Sequence, residues 1–142
     1  VGAVFVSQKS WTPDPTKLAE ILDFYQQQLS HWPLSTKSRM HLNLILEELI
    51  VNLLHYASAP QDSPLEVGLE IREDRLYGQI RDAGIPFNPL ERPDPQCDQP
   101  LLNRKVGGLG IFFVKKLVES LEYQRENQHN QLRFILRLHP ES

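Results

Sequence analysis

At 142 residues the chain has the size of one domain around a single core, and its 40% hydrophobic and 23% charged residues are ordinary globular values that exclude a disordered or low-complexity protein. A net charge of −3 leaves no basic footprint for nucleic acid or anionic lipid, and one cysteine, Cys97, excludes an internal disulfide and any multi-cysteine metal site. No apolar run approaches the ~18 residues of a membrane span, and residues 1–10 lack the basic start and apolar stretch of a signal peptide, so the expectation is one soluble, cytoplasmic domain over residues 1–142.

Ala3 to Val6 reads as a short first strand, broken by Trp11-Thr12-Pro13-Asp14-Pro15. Asp14 and Pro15 cap and open a helix on which Leu18, Ile21, Leu22, Tyr25 and Leu29 recur at helical spacing, up to Trp32-Pro33. Ser35 or Thr36 then caps a longer helix, reaching about Ala57, with Met40, Leu44, Ile45, Leu49, Ile50, Leu53 and Leu54 as its apolar face. Leu65, Val67, Leu69 and Ile71 alternate with polar residues, a turn follows at Glu73-Asp74-Arg75, and Leu76 to Arg81 returns with Asp82 at its end. Residues 83–106 carry five prolines and few apolar groups, which predicts a lid rather than a core element. Gly107 to Gly110 opens a helix with Ile111, Val114, Leu117 and Val118 inward, and Leu121 to Arg125 and Leu132 to Leu138 close the chain as a hairpin around Asn127-Gln128-His129-Asn130. The order predicts a two-layer α/β sandwich: a mixed, largely antiparallel sheet of about five strands, covered on one face by three helices.

Three constellations bear chemistry. Glu48, Asn52 and His55 are spaced four and three apart on the long helix, so they share one side, with His41 two turns earlier. A carboxylate there can take a proton and an amide oxygen suits a hard cation, although the solvated edge of an amphipathic helix has the same appearance. In Asp82-Ala83-Gly84-Ile85-Pro86-Phe87 a strand-end carboxylate can accept from an exocyclic amine beside a glycine that admits a flat ring, and the same residues also make an ordinary turn. Gly107-Gly108-Leu109-Gly110 can present backbone N–H groups and a helix start to an anion, with Arg104 and Lys105 just upstream, or can act as a hinge.

Together, in this order, the three segments resemble the N, G1 and G2 boxes of the GHKL, or Bergerat-fold, ATPases, over residues 35–138. The small size, the Pro86 to Pro89 lid start and the lack of a dimerisation or phosphoacceptor segment make the chain most similar to the RsbW-like anti-sigma-factor serine/threonine kinases. The resemblance implies ATP and Mg²⁺ as ligands, with Glu48 as the base or orienting group of phosphoryl transfer and Asn52 as the Mg²⁺ ligand. It further implies that Asp82 pairs with the adenine amine, Gly84 makes room for the ring beside Phe87, and Gly107, Gly108, Leu109 and Gly110 wrap the phosphates. His55 takes a phosphate-side role and Arg104 stands where some relatives contact the terminal phosphate.

The pattern departs from the family in two places. His55 is three residues after Asn52, where many relatives carry a basic residue four after, a position held here by Tyr56. The last hairpin offers no threonine to support the adenine site in Leu132-Arg133-Phe134, which implies weaker or water-completed adenine recognition. The function implied is an ATP-dependent serine/threonine protein kinase that phosphorylates a small antagonist protein and sequesters a sigma factor, without nucleic-acid or membrane contacts and with a homodimer as a family expectation. The same boxes also suit a non-catalytic nucleotide-binding interaction module or the catalytic fragment of a histidine kinase.

Overall fold

The computed structural model describes residues 5–56, 60, 62–91 and 108–140, with only the backbone at 108 and 109. Five strands, β1 (Phe5–Trp11), β2 (Leu65–Arg72), β3 (Arg75–Asp82), β4 (Ser120–Glu126) and β5 (His129–Arg137), form one sheet in the order β1-β2-β3-β5-β4. All of its pairings are antiparallel, so the sheet expected to be largely antiparallel is wholly so. Three helices, α1 (Leu18–Leu29), α2 (Thr36–Tyr56) and α3 (Gly108–Leu117), make the second layer.

The first strand runs past the expected Ala3 to Val6, because its inward positions, Phe5, Ser7, Lys9 and Trp11, are half polar and hide the alternation. Lys9 is accommodated by laying its stem along aromatic surface, with Nζ 4.6 Å from the Trp11 ring and 5.1 Å from Phe24. Val6 faces out at 63% exposure. At the next boundary the Asp14 side chain accepts from the Thr16 N–H at 2.9 Å, and a 3₁₀ turn at Pro15–Lys17 leads into α1.

Ser35 caps α2 by accepting from the Ser38 N–H at 3.1 Å. Arg39 then donates to the Leu29 and Leu34 carbonyls, satisfying the end of α1 and fixing the two helices' junction. The buried side of α2 is Leu42, Ile45, Leu46, Leu49, Ile50, Leu53 and Leu54, packed against Ile21, Tyr25 and Leu29 of α1 and the inward residues of the sheet. Met40 and Leu44, expected inward, are exposed at 65% and 37%, because the stripe that meets the sheet is rotated toward Leu42 and Leu46.

At the far end, Ile111 and Val114 of α3 are buried, while Leu117 and Val118 pack on the core's margin. The closing hairpin turns at Asn127 and Gln128, both with positive φ (51° and 64°), which makes a two-residue turn of the kind that matches strand twist. His129 and Asn130, read as turn from their composition, therefore belong to β5, and β5 is longer than expected. None of the described helices is long and apolar enough to cross a membrane.

Two glycines separate tight from loose packing. A Cβ on Gly78 would overlap the Phe134 ring across the β3–β5 pair, whereas one on Gly68 would meet only the tip of Gln8 on the open face. Gly78→Ala should destabilise by about 1–3 kcal/mol through overpacking, and Gly68→Ala by less than about 0.5 kcal/mol, in urea unfolding of both variants.

Candidate functional site

Burial sorts the polar stripe of α2. Asn52 is fully buried, Glu48 is half-buried and His55 is exposed in the last turn, its ring 6.5 Å from that of Tyr56. The solvated-edge reading therefore fails for Asn52 and Glu48 and holds for His55. Asn52 Nδ2 donates to the Glu48 carbonyl at 2.6 Å, a bond one helical turn back that fixes the plane of the amide. The Glu48 Oε2 is buried without a hydrogen-bond partner, and burial, reinforced by neighbouring Glu47, raises its carboxyl above the ordinary value of 4.5.

Glu48 reaches the start of α3. A Cβ on Gly110 would overlap the Glu48 carboxyl carbon and Oε2, so the glycine is what lets the carboxyl lie against the helix start. Gly108 and Leu109 belong to the same first turn of α3. Arg104, Gly107 and the Leu109 side chain lie outside the described residues.

The second half of the site is built at the end of β3. Asp82 is 1% exposed, and its Oδ1 accepts from Asn130 Nδ2 at 3.0 Å while Oδ2 is buried without a partner. Burial raises this carboxyl above its ordinary value of 3.8; the Asn130 N–H, the Gly84 backbone N–H and the charges of Arg125 and His129 oppose that shift. Gly84 is buried, and its carbonyl accepts from Arg125 Nη1 at 2.7 Å. The Phe87 N–H donates to Asn130 Oδ1 at 3.0 Å, and the Phe87 ring stacks on Tyr56 with centroids 5.5 Å apart and planes at 28°. That stack joins the two halves, since Tyr56 is one turn beyond Asn52 on α2.

Asn130 is the residue missed by sequence reasoning. It stands directly opposite Asp82 in the β3–β5 register and supplies the polar neighbour that Leu132-Arg133-Phe134 lacks, Leu132 and Phe134 being core residues. Its only signal in the sequence was a place in a polar tetrapeptide, indistinguishable from a turn.

The arrangement can hold a hard cation. Mg²⁺ takes oxygen ligands and few protein groups, and the Asn52 amide oxygen with the unpartnered Glu48 Oε2 is a donor set of that kind. Among the described residues no three His, Cys, Asp or Glu cluster as a protein-only metal cage. At the β3 end, an unpartnered carboxylate oxygen beside a buried glycine can accept from the amine of a flat heterocycle.

The sequence and the fold have relatives among known proteins. Residues 11–136 match the histidine kinase-like ATPase domain. The serine/threonine-protein kinase BtrW of Bordetella bronchiseptica is 27% identical over 110 residues, covering 76% of this chain and 77% of that protein. The crystal structure of the RsbU and RsbW domains of Rv1364c from Mycobacterium tuberculosis superposes over 95% of this chain with a TM-score of 0.64 at 11% identity, and this chain spans 34% of that one. The Acinetobacter baumannii histidine kinase AdeS aligns over 94% of this chain and 68% of its own at 14% identity and a TM-score of 0.49.

The two raised carboxyls have a consequence for stability. Because the folded state holds a proton on Asp82 and Glu48 more tightly than the unfolded chain does, their contribution to stability increases as pH falls from neutral through the raised folded values. The gain is complete once pH is below the unfolded values. Asp82→Asn and Glu48→Gln should therefore melt at or above the parent's temperature at pH 8, with the difference shrinking toward pH 4, in calorimetric scans without ligand.

Proposed function

Because this chain belongs to the histidine kinase-like ATPase domain family, we propose that it is a cytoplasmic, ATP-dependent serine/threonine protein kinase of the anti-sigma-factor type. In this reading it phosphorylates a small antagonist protein and sequesters a sigma factor. The observation that carries the nucleotide assignment is the buried Asp82, one oxygen held by Asn130 and the other without a partner at the strand end. An uncompensated buried acceptor costs stability, and a site selected for ligand binding is where such a cost is tolerated. The kinase assignment draws on the BtrW relative and on the carboxyl of Glu48 set against Gly110.

Asp82 Oδ2 accepts from the exocyclic amine of adenine, and Gly84 leaves the ring room to approach the backbone. Mg²⁺, when bound, neutralises charge on the phosphates, and the Asn52 amide oxygen would hold it. The start of α3 at Gly108 and Gly110 directs backbone N–H groups toward the phosphates. Glu48, its carboxyl raised by burial, is suited to take the proton from the attacking serine or threonine hydroxyl, or to orient that hydroxyl. Positioning supplies most of the acceleration in such transfers, so the fit of Glu48 against Gly110 carries kinetic weight.

Calorimetric titration with Mg-ATP is the direct test. The parent should bind, and Asp82→Ala should weaken binding by on the order of 30-fold, the worth of one hydrogen bond to a charged group. Asn52→Ala should bind ATP weakly and respond little to added Mg²⁺. No heat of binding in the parent would overturn the assignment. Gly110→Ala, which displaces the Glu48 carboxyl, should lower phosphoryl transfer to an antagonist protein by about 100-fold.

A further inference from the structure

The side chain of Asn130 is fully buried and uses every hydrogen-bonding valence it has. Its Nδ2 donates to Asp82 Oδ1 at 3.0 Å and to the Ile85 carbonyl at 2.7 Å, and its Oδ1 accepts from the Phe87 N–H at 3.0 Å and the Tyr123 hydroxyl at 2.5 Å. An amide offers two N–H groups and two lone pairs, so nothing remains for a ligand. Asn130 therefore acts through its neighbours rather than on a bound base.

Those neighbours are the specificity-bearing carboxylate and the root of the lid. The bond to Asp82 Oδ1 fixes the carboxylate's rotation and leaves Oδ2 as its oxygen without a partner. The bonds to Ile85 and Phe87 hold the chain that leaves β3, which Arg125 grips from β4 through the Gly84 carbonyl. The orientation of the amide is decided by its oxygen end. Two donors, the Phe87 N–H and the Tyr123 O–H, meet Oδ1, so the nitrogen must point at Asp82 and Ile85.

We propose that Asn130 is a positioning residue for base selectivity: it holds Asp82 as an obligate acceptor at Oδ2, so that the site takes a purine with a 6-amino group and rejects one with a 6-keto group. This rests on the nucleotide-binding reading above. The reasoning is one of unpaired atoms. A 6-keto oxygen placed against Oδ2 sets acceptor against acceptor in a buried position, and such a mismatch rejects an analogue more strongly than a missing apolar contact does. Without the Asn130 N–H, the Asp82 carboxyl is free to rotate and to take up a proton, and a carboxylic acid donates to a keto group as readily as it accepts from an amine. Selectivity, not merely affinity, then falls.

The test compares ATP with ITP, which differ at the 6-position, by calorimetry on the full chain. The parent should favour ATP by on the order of 30-fold. In Asn130→Ala that ratio should fall to within about threefold, and Asn130→Thr serves if the alanine variant does not fold. Tyr123→Phe removes one of the two donors that orient the amide, is a conservative change at a partly buried ring, and should lower the ratio by about threefold with the melting temperature nearly unchanged. A purely structural role would lower ATP and ITP affinities in parallel. A ratio unmoved in the folded Asn130 variants and in Tyr123→Phe, or a parent that binds ATP and ITP equally, overturns the proposal. A parent that binds neither nucleotide overturns the nucleotide assignment itself, and this inference with it.

Discussion

Helix α2 lies on the sheet along most of its length, and the same packing that buries Leu42, Ile45, Leu49 and Leu53 carries Asn52 fully out of solvent and Glu48 halfway. A polar group taken out of water needs a partner or a purpose. Asn52 finds a partner in the Glu48 carbonyl, whereas the Glu48 carboxyl is left with one bare oxygen against Gly110. The core thus sets the chemistry: rotation of α2 that exposed Met40 and Leu44 is the rotation that turned the polar edge inward, toward α3.

The β3–β5 pair does the corresponding work on the other side. Its register sets Asp82 opposite Asn130 and Gly78 opposite Phe134 in one continuous antiparallel ladder, so the placement of the carboxylate is secured by core packing four residue pairs away. A slip of one residue would turn the slipped strand's inward set to the open face and part Asp82 from Asn130 and Gly78 from Phe134. The Phe87–Tyr56 stack then ties the chain leaving β3 to the end of α2. The Asp82 and Glu48 carboxyls are both raised by burial, a combination that concentrates at functional sites.

Much of the architecture was legible because the periodicities are strong. The alternation of Leu65, Val67, Leu69 and Ile71 marked β2, and the spacing of Ile21, Tyr25 and Leu29 marked α1. The failures share one cause, in that composition reports the average environment of a residue and not its partner. Lys9 inside β1 is tolerated by the ring of Trp11 on the same strand and that of Phe24 on α1, and Asn130 inside β5 is tolerated by Asp82 and the chain leaving β3. Each depends on a group distant in the chain, Phe24 for Lys9 and Asp82 for Asn130, and each makes a strand residue look like a loop residue. His55, one residue of helical offset before Tyr56, is exposed.

By itself the sequence determined the layers, the order of elements, and the three segments that carry Glu48, Asn52, Asp82 and the glycines of α3, because local periodicity and residue type act over a few positions. Only the tertiary structure decided which of those groups are buried, that Gly110 exists to admit Glu48, and that Asn130 saturates itself to hold Asp82. These depend on the register of β3 against β5 and on the rotation of α2, which arise from contacts between residues far apart in the chain.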